Sequence, residues 1–486
     1  MKAYDAWTSL VAGSLGLFSP GRAMAFRHAR EHYRSYTAAA KTGPNQRWRP
    51  KNESADALIR KDQALIISRC RDLARNNPYI SGAIRKICNN VVRQGIKPQA
   101  RNRKGDRLHK TLNDRLETAW ARWSRRENAD VLGHDSYYAL QALVLCHLWV
   151  DGECIVHRVW EKDRPAFKIE VLECDLLDCQ VDGVLPNGNI ARRGIEYDKT
   201  TGRPTAYHIY DSHPGDYVLG FPKSQCYPAE DVIHVFHRER ASQFRGVSWF
   251  AALVMDAFDL SEYQRFERIG AKLAAAFGIF LKSQYPEAGI GGIGGGPEDP
   301  PDYIEPGRIQ KLPTGTEIQF ASHKRPGETY SPYVRTSLKG LSAGSAMSYA
   351  AFANDYTESS YSAERSASLE ERLSYQGQQA FLNEKLNDPV WAWFLEGLYW
   401  AGDLPAYPKN AETYRSEVFW QAPGWTWVDP LKDAKAAEID IRLGITTRRR
   451  LAAQRGLDWD DTVEQLKREK EQMAEAGLLE QKKASE

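Results

Sequence analysis

The chain has no G-K-[ST] sequence, so it lacks a P-loop with which to cradle a nucleoside triphosphate, and any motor chemistry belongs to a partner. It has no C-x-x-C pair. Its cysteines, Cys70, Cys88, Cys146, Cys154, Cys174, Cys179 and Cys226, are odd in number and lie among apolar or strand-like residues, which points to reduced, packed thiols and a cytosolic setting. No apolar run approaches the ~20 residues that cross a bilayer, and the opening MKAYDAWTSLVAGSLGLFSP lacks a basic-then-apolar export plan, so we expect no membrane role. No histidine follows His323, so a serine beyond it has no histidine later in the chain to serve as its base.

The 486 residues suffice for two or three domains or for a single elongated subunit. With 42% apolar and 27% charged residues, the chain can bury a core. The net charge of +3 conceals an asymmetry: residues 1–126 carry 27 Lys and Arg against 9 Asp and Glu, leaving 39 against 54 for the rest. Such a bipolar chain can lay a basic surface beside a polyanion, pair its basic part with the acidic part of a neighbouring copy, or simply solvate Arg-rich helix faces.

Residues 1–60 mix Arg, Tyr, Trp, Gly and Pro without sustained period and read as an irregular basic arm. From 61 to 153 the pattern is helical. Asn77 caps a helix with Pro78 at its first position and Ile80, Ile84, Ile87 and Val91 on one face. A second helix, 106–126, buries Leu108, Leu112, Leu116, Trp120 and Trp123, and a third runs from Ser136 to Val150. Between 154 and 240 short β-rich runs alternate with turn residues, the signature of an antiparallel meander of ~80 residues, giving an α+β protein in which helices flank the sheet. Residues 241–283 read as a long helix in which Asp256, Asp259, Glu262, Arg265 and Arg268 stand three apart. That polar row precesses around the helix and gives no single solvent side, so different neighbours must pack along it; two helices split near Gly270 is the other reading. Residues 284–345 begin with the Gly/Pro-rich 286–301, expected to be a mobile loop, and continue with a short strand pair in GRIQKLPTGTEIQF. Residues 346–440 are helical, with one helix at 361–386 carrying Leu369, Leu373 and Leu386, and Asp388-Pro389 and Asp429-Pro430 each starting another. Residues 441–486 form a charged tail, helical from Asp458.

Motifs for catalysis are weak. GLSAG (340–344) matches the nucleophile elbow with Ser342, but no histidine follows it as that fold requires, so small residues at a helix contact are the alternative. GIGGIG (289–294) precedes Pro297, Pro300 and Pro301 where a phosphate-binding helix must begin. His234 and His237 on a strand point to opposite faces, Cys174 and Cys179 have no ligand-spaced histidine, and the carboxylate pairs Asp151/Glu153 and Glu173/Asp175 define no pocket. We expect no catalytic residue, metal or cofactor.

The ordered set RDLARNNPYISGAI (71–84), DGECIV (151–156), GIEYDKTTGRPTAYHIY (194–210), VIHVFHRERASQFRGVSW (232–249), DAFDLSEYQRFERIGAKLAAAF (256–277), YSAERSASLEER (361–372), PVWAWFLEGLYWAG (389–402) and GWTWVDPLKDAKA (424–436) resembles the phage portal proteins of the lambda type. The resemblance covers most of 65–440. It implies a portal protein fold, an elongated subunit with wing, stem, clip and crown regions: 61–153 in the wing, 154–240 in wing or clip, 241–283 the stem candidate and 346–440 on the crown side. It implies a non-enzymatic dodecameric ring at one capsid vertex of the virion, assembled in the bacterial cytoplasm. Through that ring the large terminase subunit drives double-stranded DNA, bound without sequence preference, and the genome later leaves. The expected partners are copies of itself, DNA, the large terminase subunit, the major capsid protein or scaffold, and the head-tail connector protein. As DNA-facing positions we select Lys324, Arg325, Arg335 and Lys339. Trp425 and Trp427 are taken as aromatic anchors and Asp429 as a cap, docking on the same chain or an adjacent copy. A monomeric basic nucleic-acid-binding protein is the alternative reading, with a Ser342 hydrolase behind it.

Overall fold

Pro78 needs no hydrogen-bond donor at a helix start, and the Asn77 side chain supplies the acceptor that its neighbours lack, taking the Tyr79 and Ile80 N–H groups at 2.9 and 3.0 Å. This junction separates α1 (Ala55–Asn76) from α2 (Pro78–Val91), whose Ile80, Ile84, Ile87 and Val91 are buried. The computed structural model describes residues 19–21, 24, 50–161, 167–216, 220–276, 280–283, 316–319, 327–357, 360–426 and 429–476. Contacts divide the chain into two units, Met1–Leu58 and Ile59–Glu486. Of the basic arm only 19–21, 24 and 50–60 are described, and its last residues already belong to α1.

Helix α3 (Lys110–Trp123) buries Leu116, Trp120 and Trp123, but it starts later than its apolar pattern suggested. Leu108, expected on the buried stripe, is 46% exposed on a two-residue strand before the helix, because His109 takes the cap and turns the chain there. Helix α4 (Tyr137–Val150) follows a Ser136 cap and is largely apolar, with Tyr137, Leu140, Gln141, Val144, Leu145, Leu148, Trp149 and Val150 buried and Leu143 left exposed.

The β region comprises two antiparallel sheets where a single meander was expected. Strands Gly183–Val184, Ile190–Arg192, Ile195–Tyr197, Pro204–Tyr210 and Ser224–Pro228 form a true five-stranded meander, each beside its sequence neighbour. Glu153–Trp160 instead sits between Phe167–Leu172 and Val232–Phe236 in a second sheet. Ile155, Leu177, Ile195, Tyr207, Ile209 and Val232 pack together as a small core.

The main core surrounds Trp120. The rings of Trp123, Tyr137, Trp391, Phe394 and Trp420 lie 4.9–5.9 Å from it, mostly tilted or edge-on, the arrangement that aromatic quadrupoles favour.

Helix α5 (Val254–Ala276) follows a short 3-10 turn and passes through Gly270 unbroken, so the split reading fails. The strand pair that comes after it joins Phe280–Ser283 to Thr316–Gln319; of GRIQKLPTGTEIQF only 316–319 are described, and GIGGIG with the rest of 286–301 lies outside the described residues. Residues 330–344, expected as loop and short strands, form the 15-residue helix α6 (Tyr330–Gly344). Pro332 sits in its first turn, where no N–H is needed, so a proline there is compatible with a helix start. Tyr263 of α5 packs on Tyr330 and Tyr333 at 5.9 and 4.5 Å, while the far end of α6 meets Leu253, so the two helices run antiparallel.

Asp388-Pro389 does not start a separate helix. Helix α7 (Tyr361–Leu382) continues through a π turn, Asn383–Asn387, into α8 (Asp388–Trp400), and the wide turn absorbs the N–H that Pro389 lacks. Asp388 accepts the Trp420 indole N–H at 2.6 Å instead of capping.

Gly152 and Gly246 mark a very close backbone approach. Gly152 has φ +88°, and a Cβ there would lie 2.1 Å from the Val247 carbonyl carbon; at Gly246 it would lie 2.2 Å from the Gly152 oxygen. Backbone cannot yield as a flexible side chain can, so Gly152→Ala should cost about 3 kcal/mol or more. Denaturant titration of the variant tests this, and an unchanged midpoint would contradict the close approach.

Candidate functional site

Glu153 begins its strand with no solvent contact, and no hydrocarbon environment tolerates a bare carboxylate. The chain that leaves the second sheet toward α5 brings the answer. Arg245, 92 residues away, donates from Nε at 2.8 Å and from its terminal nitrogen at 2.5 Å to Oε1. Gln63 Nε2 of α1 donates to the same oxygen at 3.0 Å, the Gly246 N–H donates to Oε2 at 2.6 Å, and His234 Nε2 lies 3.0 Å from Oε2. Burial opposes ionisation here, but the Arg245 charge and the His234 hydrogen bond outweigh it and hold the Glu153 carboxyl well below the usual range. His234 is thus a structural partner of Glu153, and His237 packs its ring against Trp249 and Phe381.

A second ionic cluster lies at the end of α4. Arg71 donates to both oxygens of Asp151 at 2.7 and 3.0 Å and to Asp175 at 2.6 Å, and reaches Glu173 at 3.3 Å. Glu173, Asp175 and His213 place one ligand-type atom each within 4.8 Å of one another, but Arg71 already answers the two acids, so the cluster is a salt bridge and not a cation cage. The carboxylates that formed no pocket in sequence therefore belong to two arginine-centred joints.

Ser342 is buried near the C-terminal end of α6, where its Oγ donates to the Lys339 carbonyl at 2.9 Å. That hydroxyl faces its own helix and stands on no strand-to-helix elbow. A Cβ on Gly344 would lie 2.2 Å from Leu253 Cδ2, so the small residues of GLSAG serve a close helix contact.

The five charges of α5, Asp256, Asp259, Glu262, Arg265 and Arg268, are all exposed. Met255, Phe258, Phe266 and Ile269 are 42–63% exposed as well. At 100° per residue these four share one side with Glu262, roughly opposite the buried Ala257 and Leu260. Helix α5 therefore has two apolar sides, one packed in the chain and one without cover among the described residues.

Of the four basic positions selected from sequence, Lys324 and Arg325 lie outside the described residues. Arg335 and Lys339 lie on α6 at a cavity of about 520 Å³ that also borders Tyr349, Asp355 and α7. Arg335 is 3.8 Å from Asp355, and the Lys339 ammonium lies 5.7 Å from the Tyr349 ring centre. Hydrogen bonds from Thr357 and Tyr349 hold the Asp355 carboxyl down at about 2, so its charge persists at neutral pH.

The segment after Gln421 packs on its own chain. Trp425 donates its indole N–H to Asn90 of α2 at 3.0 Å and stacks on Tyr375 of α7 at 6.2 Å between centres. Trp427 lies outside the described residues. Asp429 accepts the Lys432 N–H at 3.2 Å at the start of the Pro430–Arg442 helix.

Sequence reasoning missed Arg245 and Glu153 as partners. The one signal was an Asp-Gly-Glu run entering an apolar strand, where a buried acid demands a base from elsewhere. Removing one member of such a pair costs about 3–5 kcal/mol, so Glu153→Gln should lower stability by that amount at pH 7. Because the Glu153 pKa is depressed on folding, its contribution is present above the ordinary glutamate value of about 4.3 and fades as pH falls below it. Denaturation midpoints from pH 3 to 7 should therefore fall toward acid more steeply in the wild type than in Glu153→Gln; parallel curves would contradict the pairing.

The family described as phage portal protein, lambda family, matches residues 41–379. The chain is 29% identical over 448 residues to the probable portal protein of Halomonas phage phiHAP-1, covering 89% of this chain and 85% of that one. It is 21% identical over 474 residues to portal protein B of Escherichia phage lambda, covering 90% and 89%. A solved structure titled as the neck of a native gene transfer agent particle computed with C12 symmetry aligns with a TM-score of 0.47 at 11% identity, over 82% of this chain and 99% of that one. Since the family match runs from the end of the basic arm nearly to the end of α7, this chain belongs to the lambda family of phage portal proteins.

Proposed function

We propose that the chain is one subunit of a closed ring of twelve at a capsid vertex, and that duplex DNA passes through the ring during packaging and again on ejection. The uncovered side of α5 carries this reading. Met255, Phe258, Phe266 and Ile269 form an apolar stripe on a helix whose other side is already buried, and such a stripe needs a partner surface. A ring of like subunits supplies one to every copy, with no stripe left open. Asp256 and Asp259 near the start of α5 and Arg265 and Arg268 farther along can pair with an offset copy, which would fix the register. We assign the stem to α5 and add α6, which runs back beside it; the wing, clip and crown follow the family plan. Trp425, Trp427 and Asp429 serve as the dock between the last helices and the body or the adjacent copy.

The role in this reading is mechanical. Ser342 has its hydroxyl on its own helix, which speaks against the hydrolase alternative. DNA that must slide cannot be held by many free cations, since each phosphate contact adds grip. Lys324, Arg325, Arg335 and Lys339 are the DNA-facing candidates. The two that are described sit beside Asp355 and Tyr349, which temper their charge and suit a surface that guides without clamping. The large terminase subunit would supply the work, the capsid protein or scaffold the seat and the connector the exit, in a virion component assembled in the host cytoplasm.

Light scattering on the eluting protein should give a mass many times 55.1 kDa. The double change Phe258→Glu and Phe266→Glu touches only exposed side chains, so it should yield folded single chains with unchanged circular dichroism. Assembly that survives both changes would refute the assigned interface, and a wild type that stays at 55.1 kDa would favour the monomeric nucleic-acid-binding reading.

A further inference from the structure

Between the Lys97–Ala100 strand and α3 the chain makes a small hairpin, with Arg103 opposite Leu108 and Lys104 opposite Arg107, turned at Gly105 with φ 62°. Its base is held firmly. Asn113 Oδ1 accepts from the Asn102 backbone and side-chain nitrogens at 3.0 and 3.1 Å, Asn113 Nδ2 donates to the Asn102 carbonyl at 3.2 Å, and the His109 N–H donates to the same carbonyl at 2.8 Å. Both asparagines are buried, yet every residue from Arg103 to Leu108 is exposed. A buried polar clasp therefore presents a ridge of cations to the outside.

The Lys104–Arg107 pair is the informative one. Like charges directly across two strands destabilise the pairing, so in isolation this register works against the hairpin. Nearby cations are treated differently: Lys110 pairs with Glu464, Arg115 with Asp403 and Arg126 with Glu127. Among the described residues Arg103, Lys104 and Arg107 make no ion pair, and the hairpin's single acid is Asp106 at the turn. A counter-charge from outside would turn the unfavourable pairing into a binding site. Protein interfaces rest on an apolar core and are poor in lysine, and here only Leu108 could contribute one. Backbone phosphates need no such core, and clustered Arg and Lys are what hold them.

We propose that the Arg103–Arg107 hairpin is a second surface for duplex DNA, separate from the passage, where Arg103, Lys104 and Arg107 bind neighbouring phosphates without reading sequence. The contact is open from outside the subunit and needs neither a DNA end nor a closed ring.

A covalently closed circular duplex tests this, because it cannot thread a preformed ring. The full-length protein should bind the circle with strong salt dependence. The triple change Arg103→Gln, Lys104→Gln and Arg107→Gln should weaken binding about tenfold or more near 0.1 M salt and reduce the slope of log K against log salt by roughly 2.7. Lys104→Glu gives an independent reading: it places opposite charges across the strands, so thermal stability should hold or rise while circle binding falls. Equal binding of the circle by the triple variant overturns the proposal, as does a wild type that ignores the circle. If the triple change abolishes capture of polyglutamate but leaves the circle untouched, the ridge is a dock for acidic protein and the proposal is wrong. Ring mass is measured separately, so an intact ring that fails to bind circles removes this inference alone.

Discussion

The buried pair of Glu153 and Arg245 is the constraint on which the rest of the subunit depends. It joins the first residue of a central strand to the segment that leads into α5, and it is dry, so neither partner can be left alone. Gln63 of α1 and His234 of the neighbouring strand close on the same carboxylate, and Gly152 and Gly246 let the two backbones come close enough for the bonds to form. From this joint α5 emerges in a fixed direction. Asn77 then ties the start of α2 to Ser261 at 2.8 Å, which sets which side of α5 turns inward. The side that remains is the apolar stripe proposed to meet the next copy. In this reading a buried ion pair within one chain sets the surface proposed to meet the next copy.

How far this was legible follows from the range of each interaction. Local signals read well: Asn77-Pro78, Ser136 and Asp429 act at the helix starts where their side chains can reach the free N–H groups within a turn. Period also read well, since the buried Ile80, Ile84, Ile87 and Val91 are a direct consequence of 3.6 residues per turn. Partners far apart in sequence did not read. Nothing local tells Glu153 that its base lies 92 residues on, nor that Glu153–Trp160 will take Val232–Phe236 as a neighbour and leave the meander to close by itself. Residues 330–344, expected within a stretch of loop and short strands, form α6 with Pro332 in its first turn, and Pro389, which looked like a fresh start, sits in a run that a π turn keeps continuous. The three-residue spacing of the α5 charges suggested that the helix has no single solvent side; the five charges instead share one broad exposed arc, opposite the buried Ala257 and Leu260.

The division of charge has a physical use in this reading. A subunit that guides DNA must attract it enough to admit it and too little to hold it. Acids beside bases do this locally, as Asp355 does near Arg335. Where cations stand without such partners, as on the hairpin before α3, binding in place is the expected result instead of sliding. The same chain can then keep a permissive passage and a gripping exterior contact, because the two differ in how each cation is neutralised.

Electron microscopy of the purified protein tests the central claim most directly. The account predicts closed rings of a single kind, with an open axis and with the Met255–Ile269 side of α5 covered by the adjacent copy. Particles of single-chain size, or rings in which that side of α5 still faces solvent, would contradict it.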